Sequence, residues 1–211
     1  MIIEIGNNPI LCLVTNRNRT SKRDLGFIVN DAISGGVNMV QFRDREMKGP
    51  KKLEMAISLK DLTKDKAMFM VNGDVDLAKE VAADGIHFPE GQNSDANYQN
   101  LKKKFIIGRS VHSFESAVKA ASEGMDYLTV GTIFPSNSHP NGETSGTEII
   151  EEISNKLSIP LIGIGGISEG NCLQVMEAGA AGVAVIGAIS EAASPKLAAH
   201  DIFKVLKSSK V

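Results

Sequence analysis

The chain has 211 residues, 42% of them hydrophobic, with 23 basic against 25 acidic side chains and a formal net charge of -2. That is enough for one large domain or two small ones, and the near-neutral balance removes any electrostatic reason to expect nucleic acid or an anionic membrane as partner. No apolar run approaches the roughly 20 residues that span a bilayer, and the first residues, MIIEIGNNPILCLVTN, lack the basic start of a signal peptide, so a cytoplasmic globule is expected.

In chain order the short apolar runs are ILCLVT (10–15), VNMVQF (37–42), AMFMV (67–71), GIHF (85–88), FIIGRS (105–110), YLTVGTI (127–133), PLIGIGG (160–166) and GVAVIGA (182–188). Amphipathic stretches lie between them, among them LGFIVNDAISGG, LEMAISLKDLTK, VDLAKEVAA, FESAVKAASEG and CLQVMEAGA. The runs are too short and too uniformly apolar for half-exposed strands, so they read as parallel strands covered on both sides. Gly36, Gly85, Gly124 and Gly179 fall where left-handed helix caps are expected. Eight strand–helix units in about 200–250 residues predict a single (β/α)8 TIM barrel over residues 1–211. An open doubly wound sheet is the competitor, disfavoured by the count of eight and by the absence of an early Gly-x-Gly-x-x-Gly. Cys12 and Cys172 lack metal-ligand spacing and sit in apolar segments, which reads as two reduced thiols.

In such barrels the site lies at the C-terminal ends of the strands. Strand two ends in VQFRDRE, where Gln41, Arg43 and Arg45 could grip an anion, the two arginines from alternate positions of an extended backbone. Strand three ends at Asn72, a candidate substrate contact, and Asp74 and Asp76 are read as opening the next helix. Strand five leads to His112, flanked by Ser110 and Ser113, whose hydroxyls could orient the imidazole or bind an anion. The loop PSNSHPNGETSG (135–146) is long enough to suggest a lid. GIGGISEGN and VAVIGAISEA end strands seven and eight with Gly165, Gly166, Ile186 and Gly187, whose backbone could cradle a phosphate. His87 is expected to be structural or to line the pocket, and His200 to be on the surface.

The ordered motifs VQFRDRE, VNGDVDLA, ADGIHF, IGRSVHS, DYLTVGTIFPSNS and IPLIGIGGI…GAAGVAVIGAI resemble the thiamine-phosphate synthase superfamily from about residue 10 to residue 205. The resemblance implies a (β/α)8 barrel in thiamine biosynthesis and one of two reactions. One is the magnesium-assisted coupling of a pyrimidine diphosphate to a thiazole phosphate. The other, in the thiazole tautomerase (TenI-like) branch, is a proton shift that aromatises the thiazole phosphate. Gln41, Arg43 and Arg45 match the diphosphate stretch Gln-x-Arg-x-Lys, with arginine in place of lysine. The synthase's first magnesium aspartate aligns with Gly73, its second with Gln92, and its loop lysine with His139 beside Ser136 and Ser138.

The tautomerase branch is similar to this chain at those very places, and its acid–base histidine maps onto His112. The leading expectation is therefore an isomerase on a small thiazole phosphate, with no cofactor. Two alternatives stand beside it. A diverged synthase would use magnesium held by Glu90 or Asp95, and a non-catalytic regulator would only bind the thiazole phosphate. Barrels of this size often pair as homodimers.

Overall fold

A computed structural model describes residues 8–92, 98–135 and 144–209. Eight strands form in the predicted order: β1 (Ile10–Val14), β2 (Met39–Phe42), β3 (Met68–Asn72), β4 (Gly85–Phe88), β5 (Ile106–Val111), β6 (Tyr127–Val130), β7 (Leu161–Ile164) and β8 (Gly182–Val185). Each pairs in parallel with the next, and β8 returns to β1 to close a barrel. Strands β6, β7 and β8 stop before their apolar runs do, because the tails of those runs leave the sheet to build its mouth. The helices are α1 (Leu25–Ser34), α2 (Gly49–Thr63), α3 (Val75–Glu80), α4 (Tyr98–Leu101), α5 (Phe114–Ser122), α6 (Glu148–Lys156), α7 (Cys172–Glu177), α8 (Gly187–Ser190) and α9 (Pro195–Ser208). None among the described residues is long and apolar enough to cross a membrane.

Local chemistry explains where these helices begin. Asp24 accepts from the Phe27 amide to start α1, and Ser194 accepts from Leu197 ahead of Pro195 to start α9. Ser113 and Ser116 close a reciprocal capping box on α5. In α1 the buried face is Leu25, Ile28, Val29 and Ala32, the three- and four-residue spacing of a helix laid on a sheet. Asp74 caps α3 and Asp76 lies in its first turn, as expected. Gly36, Gly124 and Gly179 take the positive φ of helix ends, but Gly85 does not. It opens β4 in extended backbone, where a methyl would lie 2.4 Å from the Ile106 carbonyl oxygen. Its lack of a side chain serves close packing, not a helix cap.

At the N-terminal face one device recurs on alternate strands. Asn38, Asp84 and Asp126 each precede a strand, and each accepts the amide of the second residue of the strand before it: Leu11, Phe69 and Ile107. These bonds hold neighbouring strands in register where the ladder would otherwise leave an amide unpaired. Lys60 and Lys102 then neutralise Asp84 and Asp126 at 2.8 and 2.9 Å.

Side chains alternate between two apolar layers. The barrel interior holds Ile10, Cys12, Val14, Met39, Met70, Tyr127, Ile162 and Ala184, separate from the larger cluster between sheet and helices. Both cysteines are free and buried, and burial pushes the Cys12 thiol up to about 12. The same alternation carries the interior upward from Met39 to Gln41, from Met70 to Asn72 and from Tyr127 to Thr129. Just under the mouth the core therefore turns polar.

Candidate active site

Because all eight strands are parallel, the residues that follow them meet at one end of the barrel. Gln41 and Asn72 face inward from adjacent strands and bond directly, Gln41 Nε2 to Asn72 Oδ1 at 3.0 Å. Arg43 follows β2, anchored by its amide to the buried Thr15 hydroxyl at 3.0 Å. The expectation of two arginines aligned on one extended strand is corrected here. β2 stops at Phe42, and Asp44 curls the chain by accepting the amides of Glu46 and Met47 at 2.9 and 2.7 Å. Arg43 ends half-buried and Arg45 exposed. Burial, with the neighbouring Arg45 charge, lowers the pKa of Arg43. That is the setting of a cation that gains from an arriving anion.

Asp44 holds this turn together. Its side chain is 5% exposed and also accepts from Arg17 Nε at 2.5 Å. Burial alone would raise its carboxyl, but the bonds from Met47, Arg17 and Glu46 outweigh that and hold it below the ordinary 3.8. A carboxyl whose pKa falls on folding stabilises the fold above its unfolded value, near 4, and that contribution fades as pH drops through the lower folded value. Asp44→Asn should therefore lower stability at pH 7 by about 1–3 kcal/mol. It should also lose less than the parent between pH 5 and pH 2. Urea midpoints of both proteins across that range test this, and equal acid sensitivity counts against it.

His112 directly follows β5, at the rim, as the spacing predicts. Its expected neighbours are not its partners. Ser113 is spent on capping α5, and Ser110 Oγ lies 2.8 Å from His87 Nε2. The imidazole pairs instead through Nδ1 with the carboxylate of Glu90, and the His112 amide is 3.2 Å from Ser116 Oγ. Burial pushes the Glu90 carboxyl up, but hydrogen bonds from Ser116 and His112 prevail and hold it below its usual value. A carboxylate on Nδ1 keeps the proton there and leaves Nε2 to accept one. Sequence reading considered Glu90 only as a metal ligand. The signal that could have found the pair is position, since both residues lie just past the ends of adjacent parallel strands.

Gly165 and Gly166 follow β7, while Ile186 and Gly187 follow β8, its neighbour in the sheet. The two loops are adjacent, as a shared phosphate site requires. Their glycines also serve packing. A methyl on Gly166, at φ +64, would stand 2.4 Å from the Pro135 carbonyl oxygen, and one on Gly187 would meet the Arg19 guanidinium at 2.3 Å. Arg19 there forms a two-point ion pair with Glu191 at 2.7 Å. As the first residue of α8, Gly187 has no acceptor for its amide within its own helix. Ser136, Ser138, His139, Asp95 and most of the loop 135–146 lie outside the described residues.

The magnesium that the resemblance implies does not fit the donors present. Gly73 and Gln92, which align with its two aspartates, are indeed neighbours: Gln92 Nε2 donates to the Gly73 carbonyl at 2.9 Å. Both are neutral, and neither brings a carboxylate. Glu90 is engaged by His112 and Ser116. Among the described residues no three His, Cys, Asp or Glu side chains cluster as a metal would need.

A closed parallel barrel whose mouth joins a desolvated arginine, a carboxylate-paired histidine and glycine loops after strands seven and eight is the frame of a barrel enzyme for a small anionic substrate. Residues 11–189 match the family model described as thiamine monophosphate synthase. A thiamine-phosphate synthase of Chlorobium limicola is 37% identical over 97% of both chains, and one of Clostridium acetobutylicum is 36% identical over 94% of this chain and 95% of its own. A solved thiamine phosphate pyrophosphorylase of Pyrococcus furiosus superposes with a TM-score of 0.87 at 29% identity, over 96% of this chain and 97% of that one. The chain belongs to the thiamine monophosphate synthase family and is an enzyme of thiamine biosynthesis. The relatives' names agree with the transferase alternative, not with the isomerase that led the expectations from sequence.

Proposed function

We propose that the chain acts on a thiazole phosphate and that its step is the proton shift within the ring. The observation that carries this reading is the pairing of His112 with Glu90 while the two positions aligned with metal aspartates hold Gly73 and Gln92. Backbone of Gly165, Gly166, Ile186 and Gly187 would bind the phosphate, and Ser136 and Ser138 would contact substrate from the loop after β6. Arg43, with Gln41, Arg45, Asn72 and Ser110, would hold the rest of the ring and its carboxylate. His112 would take a proton from a ring carbon and return it to the exocyclic carbon, directly or through that carboxylate. The ring is isomerised with no net gain or loss of protons or electrons.

The relatives favour a second reading. Proteins up to 37% identical over nearly the whole chain are named thiamine-phosphate synthase, which supports the coupling of a pyrimidine diphosphate to a thiazole phosphate. On names alone that reading is the better supported, and the neutral pair at 73 and 92 is what weighs against it. Offering the purified protein each reaction's substrates, with and without magnesium, separates the two. Metal-independent aromatisation of the thiazole phosphate supports the first reading. Magnesium-dependent formation of thiamine phosphate replaces it with the second, and tight binding without turnover would indicate a regulator.

A further inference from the structure

Under the mouth lies a chain of three polar side chains, of which the proposed reaction gives a task only to Ser110. His87 on β4 is 1% exposed, with Nδ1 3.0 Å from the Tyr127 hydroxyl and Nε2 2.8 Å from Ser110 Oγ. Tyr127, also 1% exposed, reaches it across β5 because Gly108 has no side chain. A methyl there would lie 2.1 Å from Tyr127 Cζ and 2.5 Å from its hydroxyl. The three residues come from three consecutive strands, so the barrel alone brings them together.

The direction of the hydrogen bonds follows from what surrounds them. Burial, with a smaller effect from the Arg109 charge, drives the His87 pKa down to about 3, so near neutral pH the ring carries a single N–H. Burial likewise keeps the proton on Tyr127. The tyrosine packs among Cys12, Met39 and Met70, and among the described residues its hydroxyl has one hydrogen-bond partner, His87. A hydroxyl proton turned elsewhere would be buried without an acceptor. Tyr127 therefore donates to Nδ1, and the ring's own proton sits on Nε2 and is donated to Ser110 Oγ. The Ser110 hydrogen is then free to turn into the mouth. In the same layer Gln41 donates to Asn72 Oδ1, leaving the Asn72 amide nitrogen as a donor beside His87, its partner in the β3–β4 register.

We propose that His87 is a positioning residue: held by Tyr127, it fixes Ser110 as a hydrogen-bond donor into the mouth, so that Ser110 and Asn72 together select a carboxylate on the bound ring. The choice of carboxylate over phosphate rests on the proposed function, which seats the phosphate after β7 and β8. The relay itself does not depend on that function.

Two measurements test it. The long-range 1H–15N spectrum of the ligand-free protein at pH 7, with His87 assigned by comparison with His87→Gln, should show the ring protonated on Nε2 and bare on Nδ1. In Tyr127→Phe, which keeps the packed ring and removes the donor, part of the population should move to the Nδ1-protonated form. Calorimetric titration should then show the carboxylated thiazole phosphate binding about tenfold more weakly to Ser110→Ala. The same ring without its carboxylate should bind both proteins alike. His87 protonated on Nδ1 in the parent protein, or an unchanged tautomer in Tyr127→Phe, overturns the relay. Equal weakening for both ligands overturns the selection of carboxylate. Absence of binding by the parent protein would remove the proposed function, and the tautomer spectrum would still decide the relay.

Discussion

Replacing His112 with asparagine is expected to slow the thiazole proton shift by about 10²–10⁴-fold, the range that one positioned acid–base group supplies. Asparagine can keep an N–H on Glu90, because its amide nitrogen stands roughly where Nδ1 does, but it has no second nitrogen that can take up a proton. Substrate affinity should change little, since Arg43 and the glycine loops are untouched, so the loss should appear in kcat and not in KM. Glu90→Gln keeps the shape and removes the charge, and should cost less than the loss of the imidazole. The His112 side chain is 58% exposed in the free protein, so the group stands at the rim, not in the interior. Steady-state rates with purified thiazole phosphate check the assignment, and His112→Asn working at the parent's rate would refute it.

The second large effect concerns closure of the barrel. Gly182 opens β8 and lies against β1, where a methyl would sit 2.3 Å from the Ile10 carbonyl oxygen and 2.5 Å from Ile10 Cβ. Backbone on one side and a fully buried side chain on the other leave nothing flexible to give way. Gly182→Ala should therefore cost about 3 kcal/mol or more, the upper end of what overpacking does. For a chain of this size that lowers the melting temperature by roughly 6–12 °C. A thermal melt within a degree or two of the parent's would show that β1 and β8 can separate locally at little cost. Gly49, where a methyl would meet nothing within 4 Å, is not a matched control, because its φ of +60 introduces backbone strain of its own.

Much of the architecture was legible because its causes are local. Each strand is a short apolar run, and covering both faces of a parallel sheet demands such runs, so eight of them predicted eight strands. Gly85 was misread because a lone glycine after a helical pattern looks the same whether it caps the helix or lets two strands approach. The short α4 has too few residues for a readable period. At the mouth, position in the chain located His112, Arg43, Asn72 and the glycine loops, since each ends or follows a strand.

The sequence by itself determined the fold, the family and which candidate residues end or follow a strand. Alternation, strand count and ordered motifs are properties of the chain read along its length. Only the tertiary structure decided which side chains are partners. Glu90 meets His112 across 22 residues, His87 joins Tyr127 across 40, and Gln92 reaches Gly73 across 19. The physical reason is that curling a parallel sheet into a barrel sets strand ends side by side, and hydrogen bonds act only over about 3 Å of space, whatever the separation along the chain.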